Sequence, residues 1–145
     1  MTSFKSPGKQ LSNTDIERVE QKLKLRFPAC VRELYLHSNG GRPDDCLFIS
    51  EQLFEVVCEF LPLDLGSGLS ITPLTEHYLD MVVDRKFWSA HLVPFADDPG
   101  GNFFLFDSSA EEGWVYFWTH DTAFDPLTPL HVGFADFWAQ LTSEE

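Results

Sequence analysis

Two short stretches, FFLF at residues 103–106 and WVYFW at 114–118, do most to limit the folds open to this chain. Each is an unbroken apolar run of strand length, whereas a strand with one wet face alternates apolar and polar residues. Both runs therefore ask for cover on both faces and belong in the middle of a sheet. They are joined by turn residues 108–113, and Asp97-Asp98-Pro99-Gly100-Gly101 ahead of the first run has the chemistry of a hairpin loop. With a strand over residues 91–96, three consecutive strands form a meander. Fourteen Phe, four Trp and three Tyr supply more large apolar area than a chain of 145 residues leaves solvated. That length suits one domain with one core.

Helical grammar brackets the sheet. Residues 1–13 are polar, with Pro7 and Gly8, and read as a flexible N-terminal arm to a single domain over 14–145. Thr14 with Glu17 fits a capping box, and Ile16, Val19 and Leu23 share one helical face. Pro28 suits the first position of a second helix with Val31, Leu34 and Tyr35 buried, and Asn39-Gly40-Gly41 offers left-handed conformations to end it. Residues 47–49 and 54–61 read as strands, and Gly66-Ser67-Gly68 as a turn. A third helix is expected from Thr72 and Pro73 through Val82, and a last one over 134–141 with Phe134, Phe137, Trp138 and Leu141 facing the sheet. The expected class is α+β.

Charge is unevenly spread. The formal net charge is −13, but residues 1–42 carry +4 and residues 43–145 carry −17. The acidic part repels phosphate backbones and anionic lipid and steers basic macromolecules toward itself, so neither nucleic acid nor membrane is an expected partner. No apolar run approaches a membrane span, the first fifteen residues hold no signal-peptide core, and a cytoplasmic location is expected. Cys30, Cys46 and Cys58 are an odd number at wide spacing, which reads as free buried thiols rather than disulfides or a zinc site.

Catalytic signatures are missing from the pattern. The glycine clusters lack a Walker or dinucleotide frame, the G-x-S-x-G elbow is absent, and the five histidines share no i, i+3 or i, i+4 spacing. His120 with Asp121 and Asp125 comes nearest to a ligand set, but a strand running into a Pro-rich loop favours loop capping there. An enzyme built around His120, Asp121 and His131 is the weakest of three functional options. No catalytic residue, metal or cofactor is expected. The carboxylate pairs Asp44 and Asp45, Asp97 and Asp98, and Glu111 and Glu112 sit in polar loops, where they would form one acidic edge if those loops share an end of the sheet.

The order of motifs resembles the SUKH superfamily, also described as the Smi/Knr-type family. The resemblance is carried by Phe27-Pro28 with Asn39-Gly40-Gly41, by Phe60-Leu61-Pro62, and by Pro94-Phe95-Ala96 with Asp98, Gly100 and Gly101. The apolar run ending in Asp107 and the closing Phe134-Ala135-Asp136-Phe137-Trp138 complete it. It implies a largely antiparallel sheet packed against helices, and a function in protein binding: many bacterial members resemble immunity proteins that neutralise toxin domains, and fungal relatives are regulators. It implies structural roles for Pro28, Asn39, Gly40, Gly41, Pro94, Phe95, Gly100, Gly101 and Asp107. The expectation is thus an immunity protein whose Asp44, Asp45, Asp97, Asp98, Glu111 and Glu112 meet a basic toxin, with Trp114 or Trp118 as apolar anchor. The alternative is a regulatory scaffold without a toxin.

Overall fold

The computed structural model describes residues 3–63, 91–120 and 127–143. Within them, helices and antiparallel sheets combine in an α+β fold. The turn at 66–68 and the helix expected from Thr72 lie outside the described residues.

Helix α1 spans Asn13–Leu23 and starts two residues earlier than a Thr14 cap with Glu17 suggested. Ser12 is the N-cap: its hydroxyl accepts from Asp15 N at 3.2 Å, and the Asp15 carboxylate accepts from Ser12 N at 2.9 Å. Leu11 and Ile16, the two positions of a hydrophobic staple around that cap, are both buried, which selects this box over its neighbour. Helix α2 spans Ala29–His37 with Pro28 as its N-cap rather than its first residue; Pro28 O accepts from both Val31 N and Arg32 N at 3.0 Å. Between the helices, the buried Glu20 carboxylate accepts from Phe27 N at 2.7 Å and pairs with Arg32.

The Asn39-Gly40-Gly41 motif does a different job from ending α2. Ser38, the C-cap, is extended, and the motif lies beyond it as a buried junction. Asn39 Oδ1 accepts from Leu63 N at 2.8 Å while its Nδ2 donates to Lys9 O at 2.9 Å. Gly40 has φ +73° and passes so close to the next segment that a Cβ there would lie 2.6 Å from Phe60 O. Only glycine combines that conformation with that approach.

Residues 3–12, expected as a flexible arm, lie against this junction. Strand β1 (Phe4–Lys5) pairs with β2 (Arg42–Pro43), and the Phe4 ring packs 5.0 Å from Phe60 and 6.1 Å from Trp138. The strand expected over 54–61 is two strands in different sheets. β3 (Leu47–Ile49) and β4 (Phe54–Val56) form a hairpin, whereas β5 (Glu59–Phe60) joins the main sheet. The switch falls between Val57, whose N–H donates to Cys46 O, and Cys58, whose N–H donates to Asp97 O.

The main sheet runs β5, β6 (Leu92–Asp97), β7 (Phe103–Asp107), β8 (Val115–Trp118), β9 (Leu127–Pro129), each pair antiparallel. β7 is central and Phe103, Phe104, Leu105 and Phe106 are all buried, as a doubly covered strand requires. Phe104 and Phe106 face the helical layer, with Phe106 5.6 Å from Phe27 and 5.8 Å from Phe134. Leu105 belongs to a second, smaller cluster with Leu92, Tyr116, Trp118 and Leu127. Pro94, which cannot donate to a ladder, pairs with Leu105 just before a register shift. The shift turns Phe95 into the core, between Phe60, Phe134 and Phe137. Helix α3 (Phe134–Ala139) closes the layer against α2. β9 lies in the Pro-rich stretch after His120 that was expected to be loop; residues 121–126 lie outside the described residues.

Candidate protein-binding surfaces

Consecutive hairpin turns of a meander sit at opposite ends of its sheet, and this decides how the carboxylates group. Asp97 and Asp98 flank the β6–β7 turn, Glu111 and Glu112 the β7–β8 turn, so the two pairs are at opposite ends and do not form one acidic edge. Cys46 O accepts from Val57 N and Cys58 N donates to Asp97 O, which brings the segment carrying Asp44 and Asp45 toward the Asp97 end.

At that end, Asp97 is the register partner of Glu59. Burial, the Glu59 charge and, more weakly, Asp98 push its carboxyl up to about 6. Its Oδ1 is buried without a hydrogen-bond partner among the described residues. Glu55 is likewise raised, by burial first and then by Asp98 beside it. Asp98 departs from expectation. Only 6% exposed, it accepts from Gly100 N at 2.9 Å, Asn102 N at 2.8 Å and Asn102 Nδ2 at 3.0 Å, so it builds the turn and is no surface charge for a partner. Gly101 completes the turn at φ +86°. Asp44 pairs with exposed Lys5 at 3.5 Å, a contact of little energetic weight, and Asp45 is half-buried.

At the other end, Trp114 is 41% exposed and Glu111 and Glu112 are exposed beside it. On one side of Trp114 is a hollow of about 210 Å³ lined by Cys30, Glu111, Glu112 and Asp136. On the other is one of about 380 Å³ lined by Tyr116, Pro129 and His131. The loop is tied down: Phe134 N donates to Glu112 O at 2.9 Å, Gly113 adopts φ +59°, and Asp107 Oδ1 accepts from Ser109 N at 2.9 Å. Trp118 is no free anchor, because it is half-buried and stacks on Phe103 at 6.2 Å.

The other candidates remain separate. His120 Nδ1 lies 2.8 Å from Asn102 Oδ1, at one end of β8, whereas His131 follows β9 beside the other end; Asp121 and Asp125 lie outside the described residues. No group of three His, Cys, Asp or Glu that could hold a metal occurs among the described residues, and no helix among them is long and apolar enough to cross a membrane. The cysteines are free but none is fully buried: Cys30 and Cys46 are half-buried and Cys58 is exposed. Burial pushes the Cys30 thiol up, against the lowering a helix N-terminus would give. A hollow of about 480 Å³ between α1 and α2 surrounds the Glu20–Arg32 pair, where Glu20 already bonds the backbone.

The sequence reading missed Ile49, Phe54, Glu55, Glu59 and Asp136. For the first two a signal existed, since a three-residue strand with Leu47 and Phe48 buried leaves little core for Ile49 or its cross-strand neighbour. Among curated proteins, no match is found. The model of the SMI1 / KNR4 family (SUKH-1) matches residues 10–140, nearly the whole chain, and the protein belongs to that family.

Proposed function

We propose that this protein is a non-catalytic binding module that neutralises a basic toxin domain, an immunity protein that engages its target through the surface centred on Trp114. The observation that carries this reading is Trp114 itself: a large aromatic, 41% exposed and framed by the carboxylates of Glu111, Glu112 and Asp136. Interfaces concentrate affinity in such aromatic anchors, and surrounding charge sets the encounter rate. The −17 carried by residues 43–145 extends the attraction over the whole sheet. A toxin that attacks nucleic acid has a basic cleft, and this surface offers it carboxylates in place of phosphates.

Affinity capture from the producing cell, at low salt and at about 0.5 M salt where screening shortens to a few ångström, tests the reading. Expected is a basic domain that elutes at high salt, is toxic when expressed alone and loses toxicity when this protein is expressed with it. Retention only of proteins without toxicity turns the reading toward a regulatory scaffold.

A further inference from the structure

We propose that the outer edge of β4 is a second docking site, which takes an extended, basic segment of a partner protein by strand addition. The edge follows from the hydrogen-bond phase of the β3–β4 hairpin. Ser50 N donates to Leu53 O and Val57 N to Cys46 O, so Phe48 with Glu55 is the bonded pair between them. Leu47 with Val56, and Ile49 with Phe54, then turn their backbone groups outward. On the β3 side the outward groups of Leu47 are used: Leu47 exchanges bonds with Thr142 at 2.9 and 3.0 Å. On the β4 side, Cys58 reaches Asp97 at the end of β6, and Val56 N is held only by the Glu55 carboxylate at 3.1 Å. Beyond that point β6 has turned away, and among the described residues no strand lies along Phe54–Val56. An incoming segment laid there continues the line of β6.

Side chains give the site its selectivity. Phe54 is 67% and Ile49 51% exposed, and as cross-strand neighbours they make one apolar knob on an open edge. An uncovered apolar edge is an association hazard, and strand addition is the mode of recognition that uses it. Carboxylates ring the edge: Glu51 in the turn, then Glu55, Glu59 and Asp97. The raised carboxyls of Glu55 and Asp97 are crowded by like charge, which an arriving Lys or Arg would relieve. Charge complementarity therefore selects a segment with basic residues at alternate positions. The site lies at the opposite end of the sheet from Trp114 and does not depend on the reading given to that surface.

A photo-crosslinking benzoyl-phenylalanine placed at position 54, and separately at position 114, of the full chain in the producing cell tests this. Expected is a position-54 product whose partner peptide is basic at alternate residues. With the crosslinker kept at position 54, Ile49→Glu, which breaks the exposed knob from the neighbouring strand, should lower the yield of that complex about tenfold or more, the effect of losing an interface anchor, with an unchanged melting midpoint. Crosslinks from position 54 to a second copy of this chain, or to an acidic or helical segment, overturn the proposal. Crosslinking from 114 alone overturns it while sparing the Trp114 reading, crosslinking from 54 alone does the reverse, and none from either overturns both.

Discussion

Glu59 and Asp97 face each other across β5 and β6, two carboxylates in register on neighbouring strands. Burial first, and then the Glu59 charge, push the Asp97 carboxyl up to about 6, well above the ordinary 3.8. The folded protein binds the Asp97 proton more tightly than the unfolded chain does. Stability from this residue is therefore fully present below about pH 4 and is lost as pH rises toward and through 6.

Asp97→Asn should remove this dependence. The shift corresponds to ~3 kcal/mol at full strength, and solvent reaching the half-buried side chain reduces it to ~1–2 kcal/mol. Thermal unfolding of the variant should be higher than wild type at pH 7 and match it below about pH 4. A wild-type midpoint that rises steadily from pH 4.5 to 7, unchanged by the substitution, contradicts the assignment.

Glu20→Ala should destabilise by ~2–4 kcal/mol, because it strands Phe27 N–H and leaves Arg32 without its partner. Urea unfolding measures this, and Glu20→Gln, which keeps an acceptor for Phe27, should lose less.

Gly40→Ala and Gly100→Ala form a matched pair. The first combines φ +73° with a Cβ 2.6 Å from Phe60 O and should lose ~2 kcal/mol or more. The second puts its Cβ at an ordinary 3.5 Å from Asn102 Nδ2 and should change stability by less than ~0.5 kcal/mol. Equal urea midpoints for the two variants would contradict the junction described for Asn39, Gly40 and Gly41.

What the sequence discloses is what local chemistry determines. The β6–β7–β8 meander was legible because continuous apolar runs and Asp-Pro-Gly-Gly turn chemistry need no distant partner to interpret. β1 was not, because a two-residue strand exists only through Arg42 and Pro43, remote in sequence. The break in residues 54–61 was hidden for the same reason: Val57 and Cys58 change backbone partner without any residue that announces it. The separation of the acidic pairs, in contrast, was implicit in the meander, since its successive turns must alternate ends. Asp98 was also readable as an Asx turn onto Gly100 and Asn102. Exposure of Trp114 against the stacking of Trp118 depends on tertiary neighbours and needed the structure.

Trp114→Ala should leave melting within about 1 kcal/mol of wild type, since the ring is already 41% exposed, while weakening partner binding by ~2 kcal/mol, about thirtyfold. Titration calorimetry against the captured domain reads the second number and differential scanning the first. A large loss of stability with unchanged affinity would make Trp114 a packing residue instead.

The association rate of the captured domain, followed by stopped flow from about 0.05 to 0.5 M salt for wild type and for Glu111→Lys/Glu112→Lys, bears most directly on acidic recognition. The account predicts a wild-type rate that falls about tenfold or more across that range, and a variant that is slower at low salt with a flatter dependence. A rate that ignores salt and is the same in both proteins contradicts it.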